Sequence, residues 1–205
     1  MTGIEFFFDL SSPWTRLAFH NVRRFAAQRD VTIRWRPILV GGVFNAVNPA
    51  LYERRAETDS PKMRHAGKIL ADWARLAGVA MNFPSPHHPL RSVTAMRCCC
   101  ALEDDQARLA EFAEAAFHAY FADQRNLDDP AELAAIADGI GLDGKALLEG
   151  AASDPVKARL RANTDALIAR GGYGSPTLFV HGDDMYFGND QLPLVYAALE
   201  REPSR

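Results

Sequence analysis

The sequence predicts an α/β protein in which a short mixed sheet, shared between the two ends of the chain, is interrupted by an all-helical insert. Three observations point there. Compact apolar or alternating runs, the mark of strands, occur at 4–8, 31–36, 177–180 and 185–187, with almost none between 41 and 170. Across that middle stretch apolar residues recur at helical spacing, punctuated by Pro and Gly. Neither end supplies enough strands to fold alone, so the two must combine in one sheet. The expected division is 1–42 plus 171–205 for the sheet-bearing part and 43–170 for the insert.

Ile4 to Phe8 is a compact aromatic-rich run ended by Asp9, which suits a buried strand. In Leu10-Ser11-Ser12-Pro13 a Ser can cap a helix, and Pro13 can occupy its first turn without losing a hydrogen bond. Leu17, Ala18, Asn21, Val22 and Phe25 follow at helical spacing, giving an amphipathic helix from Pro13 to about Gln28. Val31 to Arg36 alternates Val, Ile and Trp with Thr and Arg, a half-buried strand closed by Pro37. In the insert, helices are expected at Pro61–Ala77, Leu90–Glu103, Gln106–Phe121, Pro130–Ile140, Gly144–Glu149 and Pro155–Arg170. Asn82 to Pro89, with Pro at three of its eight positions, reads as an extended loop. Thr177–Val180, a turn at 181–184 and Met185–Phe187 form a hairpin, and Leu192–Arg201 closes the chain as a helix.

The 205 residues, 48% hydrophobic and 24% charged, are enough to bury one full core. A net charge of -3, with basic residues spread among acidic ones, offers no face to phosphates, so no nucleic-acid partner is expected. The N-terminus has no basic leader, and no run of about 18 apolar residues could cross a bilayer; a cytoplasmic protein without a membrane partner is expected. The three cysteines, Cys98, Cys99 and Cys100, are consecutive. That spacing suits neither a disulfide framework nor zinc, and they read as buried helix residues. His87 and His88 have no second ligand at a metal-like interval, so no metal is expected. Trp14, Trp35 and Trp73 read as core, although Trp14 could line a pocket at the first helix start.

The chemistry concentrates where the first strand meets the first helix. There Ser12, immediately before Pro13, stands at a helix N-terminus, where backbone N–H groups and the helix dipole favour negative charge and lower the pKa of a nearby thiol. Ser12 alone would read as a helix cap, and Ser11 competes with it; the adjacent Pro13 favours Ser12. A first strand followed by a Pro-containing dithiol motif at a helix start is the layout of thioredoxin-like active sites, and Ser12-Pro13-Trp14-Thr15 resembles it with hydroxyls in place of both cysteines. Such a site cannot cycle a disulfide of its own, and its thiol must come from a cofactor. Gly174-Ser175-Pro176-Thr177 resembles the cis-proline loop of the same fold, which would let Ser175 pair its backbone with an extended peptide such as glutathione. Asn189 and Asp190, in the turn before the last helix, suit the amine and carboxylate of a γ-glutamyl group; alone they would read as turn and cap residues.

Together, Phe7 to Pro13, Gly174 to Val180 and Met185 to Asp190 resemble the 2-hydroxychromene-2-carboxylate isomerase family, related to the kappa-class glutathione transferases. In the insert, Gly41-Gly42-Val43-Phe44, Pro61-Lys62 and Asp72-Trp73-Ala74 fall in the family's order. The resemblance spans the whole chain and implies a thioredoxin-like fold with an inserted all-helical domain, glutathione as cofactor, and a homodimer. It gives Ser12 the glutathione sulfur, brings Lys62 toward the site, and assigns Ser175, Pro176, Asn189 and Asp190 to glutathione binding. The implied reaction is reversible thiolate addition to an unsaturated pyruvate, with Lys62 or Arg91 holding its carboxylate. The sequence departs from the family where His65, Ile69 and Arg91 replace an expected Tyr, Asp and Asn. A glutathione transferase or peroxidase on the same scaffold, and a non-catalytic thioredoxin-like module, are the alternatives.

Overall fold

The computed structural model describes residues 3–47 and 60–201. Strand β1 (Gly3–Phe8) leads into α1 (Pro13–Arg29), β2 (Thr32–Pro37) and α2 (Val40–Val47). Helices α3 (Pro61–Ala77), α4 (Val93–Ala101), α5 (Gln106–Phe121), α6 (Pro130–Gly139), α7 (Gly144–Ala151) and α8 (Asp154–Ala169) follow. The chain returns through β3 (Thr177–Val180), β4 (Asp184–Phe187), a 3-10 turn (Asn189–Gln191) and α9 (Leu192–Leu199).

The sheet runs β2-β1-β3-β4, with β2 parallel to β1 and the other pairs antiparallel, so the two chain ends do share one sheet. Period-2 alternation then decides what each face of β1 buries. Ile4, Phe6 and Phe8 face the main core, where Phe19 of α1 lies 4.3 Å from Trp35 of β2 and 5.3 Å from Phe117 of α5, ring centre to ring centre. Phe7 faces the other way, edge-on to Phe179 at 5.7 Å, in a smaller cluster with Ile38, Val43 and Leu167. Glu5 shares that second face and pairs with Arg36 (3.4 Å) and with Arg170, whose guanidinium lies 3.6 Å from the centre of the Phe179 ring. Strand β2 is an edge, and Gln106 of α5 blunts it by accepting from the Trp35 N–H at 2.6 Å and donating toward the Trp35 carbonyl at 3.4 Å.

Most element ends fall within one or two residues of the sequence expectation, and two larger differences have identifiable reasons. Helix α4 starts at Val93 instead of Leu90: Ser92 is its N-cap, the Ser92 carbonyl accepting from the Met96 N–H at 2.8 Å while its hydroxyl goes to Asp9, and the Arg91 N–H before it donates to the Asp128 side chain. The 82–89 loop is not extended throughout. It folds back on α5 through Asn82 N–H to Phe121 carbonyl (2.6 Å) and the Tyr120 hydroxyl to the His87 carbonyl (3.3 Å), with a turn between Ser85 and His88. Helix α2 was not singled out among the expected helices; Asp9 anchors its first residue. Among the described residues no helix is long and apolar enough to cross a membrane.

One buried carboxylate ties the end of β1 to the helices that follow the first two strands. Asp9, fully buried at the end of β1, accepts from the N–H of Ser11 (2.9 Å), the N–H of Val40 at the start of α2 (2.8 Å) and the hydroxyl of Ser92 before α4 (3.0 Å). One residue on, the Leu10 N–H points at the Met96 sulfur of α4 at 3.2 Å. Burial raises the Asp9 carboxyl above its ordinary 3.8, and its three donors soften that without cancelling it. Above pH 3.8 the unfolded chain has therefore released a proton that the folded chain still holds, and stability falls as pH climbs toward the folded value. The difference in unfolding free energy between wild type and Asp9→Asn should accordingly shrink from pH 4 to neutrality in a urea series; a difference independent of pH would contradict this assignment.

Candidate active site

Where β1 runs into α1, the first residues of β3 lie alongside, and side chains from both ends of the chain meet. Ser12 is the N-cap of α1, with extended backbone (φ -95°, ψ 121°) and Pro13 in the first turn after it. Its hydroxyl accepts from the Thr15 N–H at 3.2 Å and donates to the Ser175 carbonyl at 3.3 Å. The Ser175 hydroxyl in turn accepts from the Asp9 N–H at 2.9 Å and lies 2.8 Å from the Thr15 hydroxyl. The Ser175–Pro176 bond is cis. Three hydroxyls thus close one cluster at the positive end of a 17-residue helix whose first turn carries no acidic side chain. Ser12 and not Ser11 is the capping hydroxyl, since the Thr15 N–H donates to it; Ser11 turns its backbone N–H to Asp9.

Close approach and turn geometry shape the rim. A side chain at Gly174 would put its Cβ 2.7 Å from the Phe187 ring, so glycine lets the Ser175 loop lie against β4. Gly188 sits at φ 102°, a region that disfavours any Cβ, and directs the chain into the Asn189–Gln191 turn. In that turn Asn189 is buried, and its side-chain oxygen accepts from Asn21 of α1 at 2.9 Å. Its Nδ2 is also buried and has no hydrogen-bond partner among the described residues. Asp190 is exposed beside it.

The structure therefore brings Ser12, Ser175 and Pro176 together and ties the Asn189 turn to α1. It leaves Lys62 outside the hydrogen-bonded cluster, exposed in the first turn of α3 with His65 one turn on. Arg91 is exposed too, its guanidinium paired with Asp128 at 3.1 Å. Trp14 and Trp73 are partly buried over the Leu17–Leu70–Ala74–Val79 cluster that joins α1 to α3, while Trp35 is core. Among the described residues no cluster of His, Cys, Asp or Glu could hold a metal. A groove of about 700 Å³ bordered by Arg23, Glu114, His118 and Arg125 shares no residue with the cluster, and its arginines there are already paired, Arg23 with Glu114 and Arg125 with Glu132.

Sequence reasoning missed the roles of Asp9, Thr15, Asn21 and Ser92. The available signal was Asp9 itself, an acidic residue directly after a largely buried strand, where its oxygens need hydrogen-bond donors.

A family model described as a DSBA-like thioredoxin domain matches residues 3–200. The chain belongs to the DsbA-like thioredoxin family. Within it, the chain is 27% identical over 201 residues to 2-hydroxychromene-2-carboxylate isomerase of Pseudomonas putida, covering 97% of this chain and 94% of the relative. It is 25% identical to human glutathione S-transferase kappa 1, covering 94% and 88%. A solved 2-hydroxychromene-2-carboxylate isomerase superposes with a TM-score of 0.80 at 26% identity, over 96% of this chain and 94% of that one. The DsbA-like fold is therefore present without the dithiol at its usual helix terminus, where Ser12 and Thr15 stand.

The three cysteines lie buried in α4, and burial pushes Cys98 up to about 12 and Cys99 and Cys100 far from ionisation. Native protein should not react with a disulfide reagent until urea unfolds it; reaction under native conditions would contradict this placement. Ser12→Ala removes both the cap and the donor to the Ser175 carbonyl and should cost about 2 kcal/mol or more of unfolding free energy, while Ser12→Gly, which keeps the cap tolerable, should cost roughly 1 kcal/mol less, measured by chemical denaturation.

Proposed function

We propose that this protein is a glutathione-dependent isomerase of the 2-hydroxychromene-2-carboxylate type, with Ser12 as its catalytic residue. The observation that carries this reading is a hydroxyl, instead of a redox dithiol, capping α1 beside a cis-proline loop, in a chain whose isomerase relatives align over nearly its full length. The residues present fit glutathione. A buried, unpartnered Asn189 Nδ2 stands in the turn suited to the γ-glutamyl group, the Ser175 backbone suits the cysteinyl group, and the α1 terminus suits the sulfur. Ser12, Ser175, Pro176, Asn189, Asp190 and Lys62 are the proposed glutathione-binding residues.

When bound, glutathione supplies the nucleophile, a thiolate that adds reversibly to the electron-poor carbon of an unsaturated pyruvate and leaves again after bond rotation, so nothing is consumed. The protein's part is electrostatic. Ser12 donates to the ionised sulfur, and the N–H groups and dipole of α1 lower the pKa of the thiol from the ordinary value of about 8.5. Lys62 or Arg91 holds the substrate carboxylate; for Arg91 this means sharing its guanidinium with Asp128. The division into a thioredoxin-like part (1–42 and 171–205) and a helical insert (43–170), the cytoplasmic setting and a homodimeric assembly belong to the same reading.

The similarity to human glutathione S-transferase kappa 1 favours a second reading, in which the same bound thiolate is transferred to an acceptor. Assays with 2-hydroxychromene-2-carboxylate and with a chloronitrobenzene separate the two. We expect glutathione-dependent isomerisation to dominate and Ser12→Ala to lower kcat/KM by about 100-fold. Conjugation without isomerisation would favour the transferase, and isomerisation unaffected by Ser12→Ala would overturn the role of Ser12.

A further inference from the structure

The Ser12 hydroxyl has one proton to give. Its oxygen already accepts from the Thr15 N–H, and its proton is directed at the Ser175 carbonyl, which has no other hydrogen-bond partner among the described residues. To donate to a sulfur, Ser12 must withdraw that proton. The carbonyl it leaves belongs to a residue only 8% exposed, and a buried carbonyl without a donor weighs roughly tenfold or more in an equilibrium. Something must replace the lost donor, and the replacement has to come with the ligand.

We propose that the site selects peptide thiols, ionising only a thiol whose own residue brings a backbone N–H to the Ser175 carbonyl. That N–H takes over the carbonyl and releases the Ser12 proton to the sulfur. The inference rests on the glutathione reading above and deepens it: Ser175 determines thiol specificity through its main chain, and the rest of the cluster explains how its carbonyl keeps its place. The Ser175 hydroxyl is held from two sides, by the Asp9 N–H at 2.9 Å and the Thr15 hydroxyl at 2.8 Å, so the residue cannot swing away when Ser12 turns. Small thiols without a peptide group would leave the exchange incomplete. A thiol-bearing peptide in extended form completes it.

The test compares glutathione with its depsipeptide analogue, in which an ester oxygen replaces the cysteinyl N–H, keeping the shape and covering the carbonyl but offering no donor. Thiolate absorbance of each complex is titrated against pH. Bound glutathione should show a thiolate-to-thiol ratio at pH 7 about tenfold above that of the bound depsipeptide, and Ser12→Gly, which keeps the helix cap tolerable, should abolish the difference. Should the depsipeptide bind too weakly to saturate, the pH profile of kcat/KM for thiol addition reads the same quantity, with the glutathione inflection falling below that of the depsipeptide. Equal ionisation of the two bound thiols, or coincident profiles, would overturn the proposal while leaving the glutathione reading intact. Bound glutathione that is not ionised at all would remove that reading, and this inference with it.

Discussion

The structure turns on a hydrogen-bonded seam between residues at opposite ends of the sequence. Asp9 and Ser175 are separated by 166 positions, yet the amide of one donates to the hydroxyl of the other, and the carbonyl of Ser175 meets the hydroxyl of Ser12. Antiparallel pairing of β1 with β3 makes this possible by bringing Phe7 opposite Thr177, so that the residues just beyond each strand end are neighbours. The site exists only when the sheet is complete. A chain that closed its sheet with a shifted register would bury the wrong face of β1 and separate the three hydroxyls together.

The helices in the middle of the chain contribute more than a cover. Ser92 and Met96 hold the Asp9–Leu10 turn from the helical middle of the chain, and Val40 and Ser175, the latter braced by Thr15, hold it from the sheet-bearing part. The turn that presents Ser12 is therefore clamped between two parts of the molecule, which fixes where a short loop holds its hydroxyl. Cys98, Cys99 and Cys100 serve this arrangement as packing groups in the main core.

Much of this was legible in the sequence because the signals are local. The aromatic run before Asp9, the Ser-Pro at a helix start and the Gly-Ser-Pro before a strand each follow from short-range backbone preferences, and the structure places them at one end of the sheet. What sequence reading could not reach were the partners supplied over long separations. Nothing near Ser92 says that its hydroxyl, instead of capping α4, reaches across to Asp9. Asn21 looked like a polar residue within an apolar stripe, and its bond to Asn189 appears only once α1 and the last turn are packed together. Lys62 was placed by family resemblance, and the structure leaves it exposed on α3 outside the cluster.

The central claim is that Ser12 exchanges one acceptor for another, giving up the Ser175 carbonyl to hold a peptide thiolate. A crystal structure of the glutathione complex tests it most directly. The account predicts the sulfur within hydrogen-bonding reach of the Ser12 hydroxyl, with the cysteinyl N–H in its former place on the Ser175 carbonyl. A complex in which the Ser12 hydroxyl still faces that carbonyl, or in which the sulfur lies away from the start of α1, would contradict it.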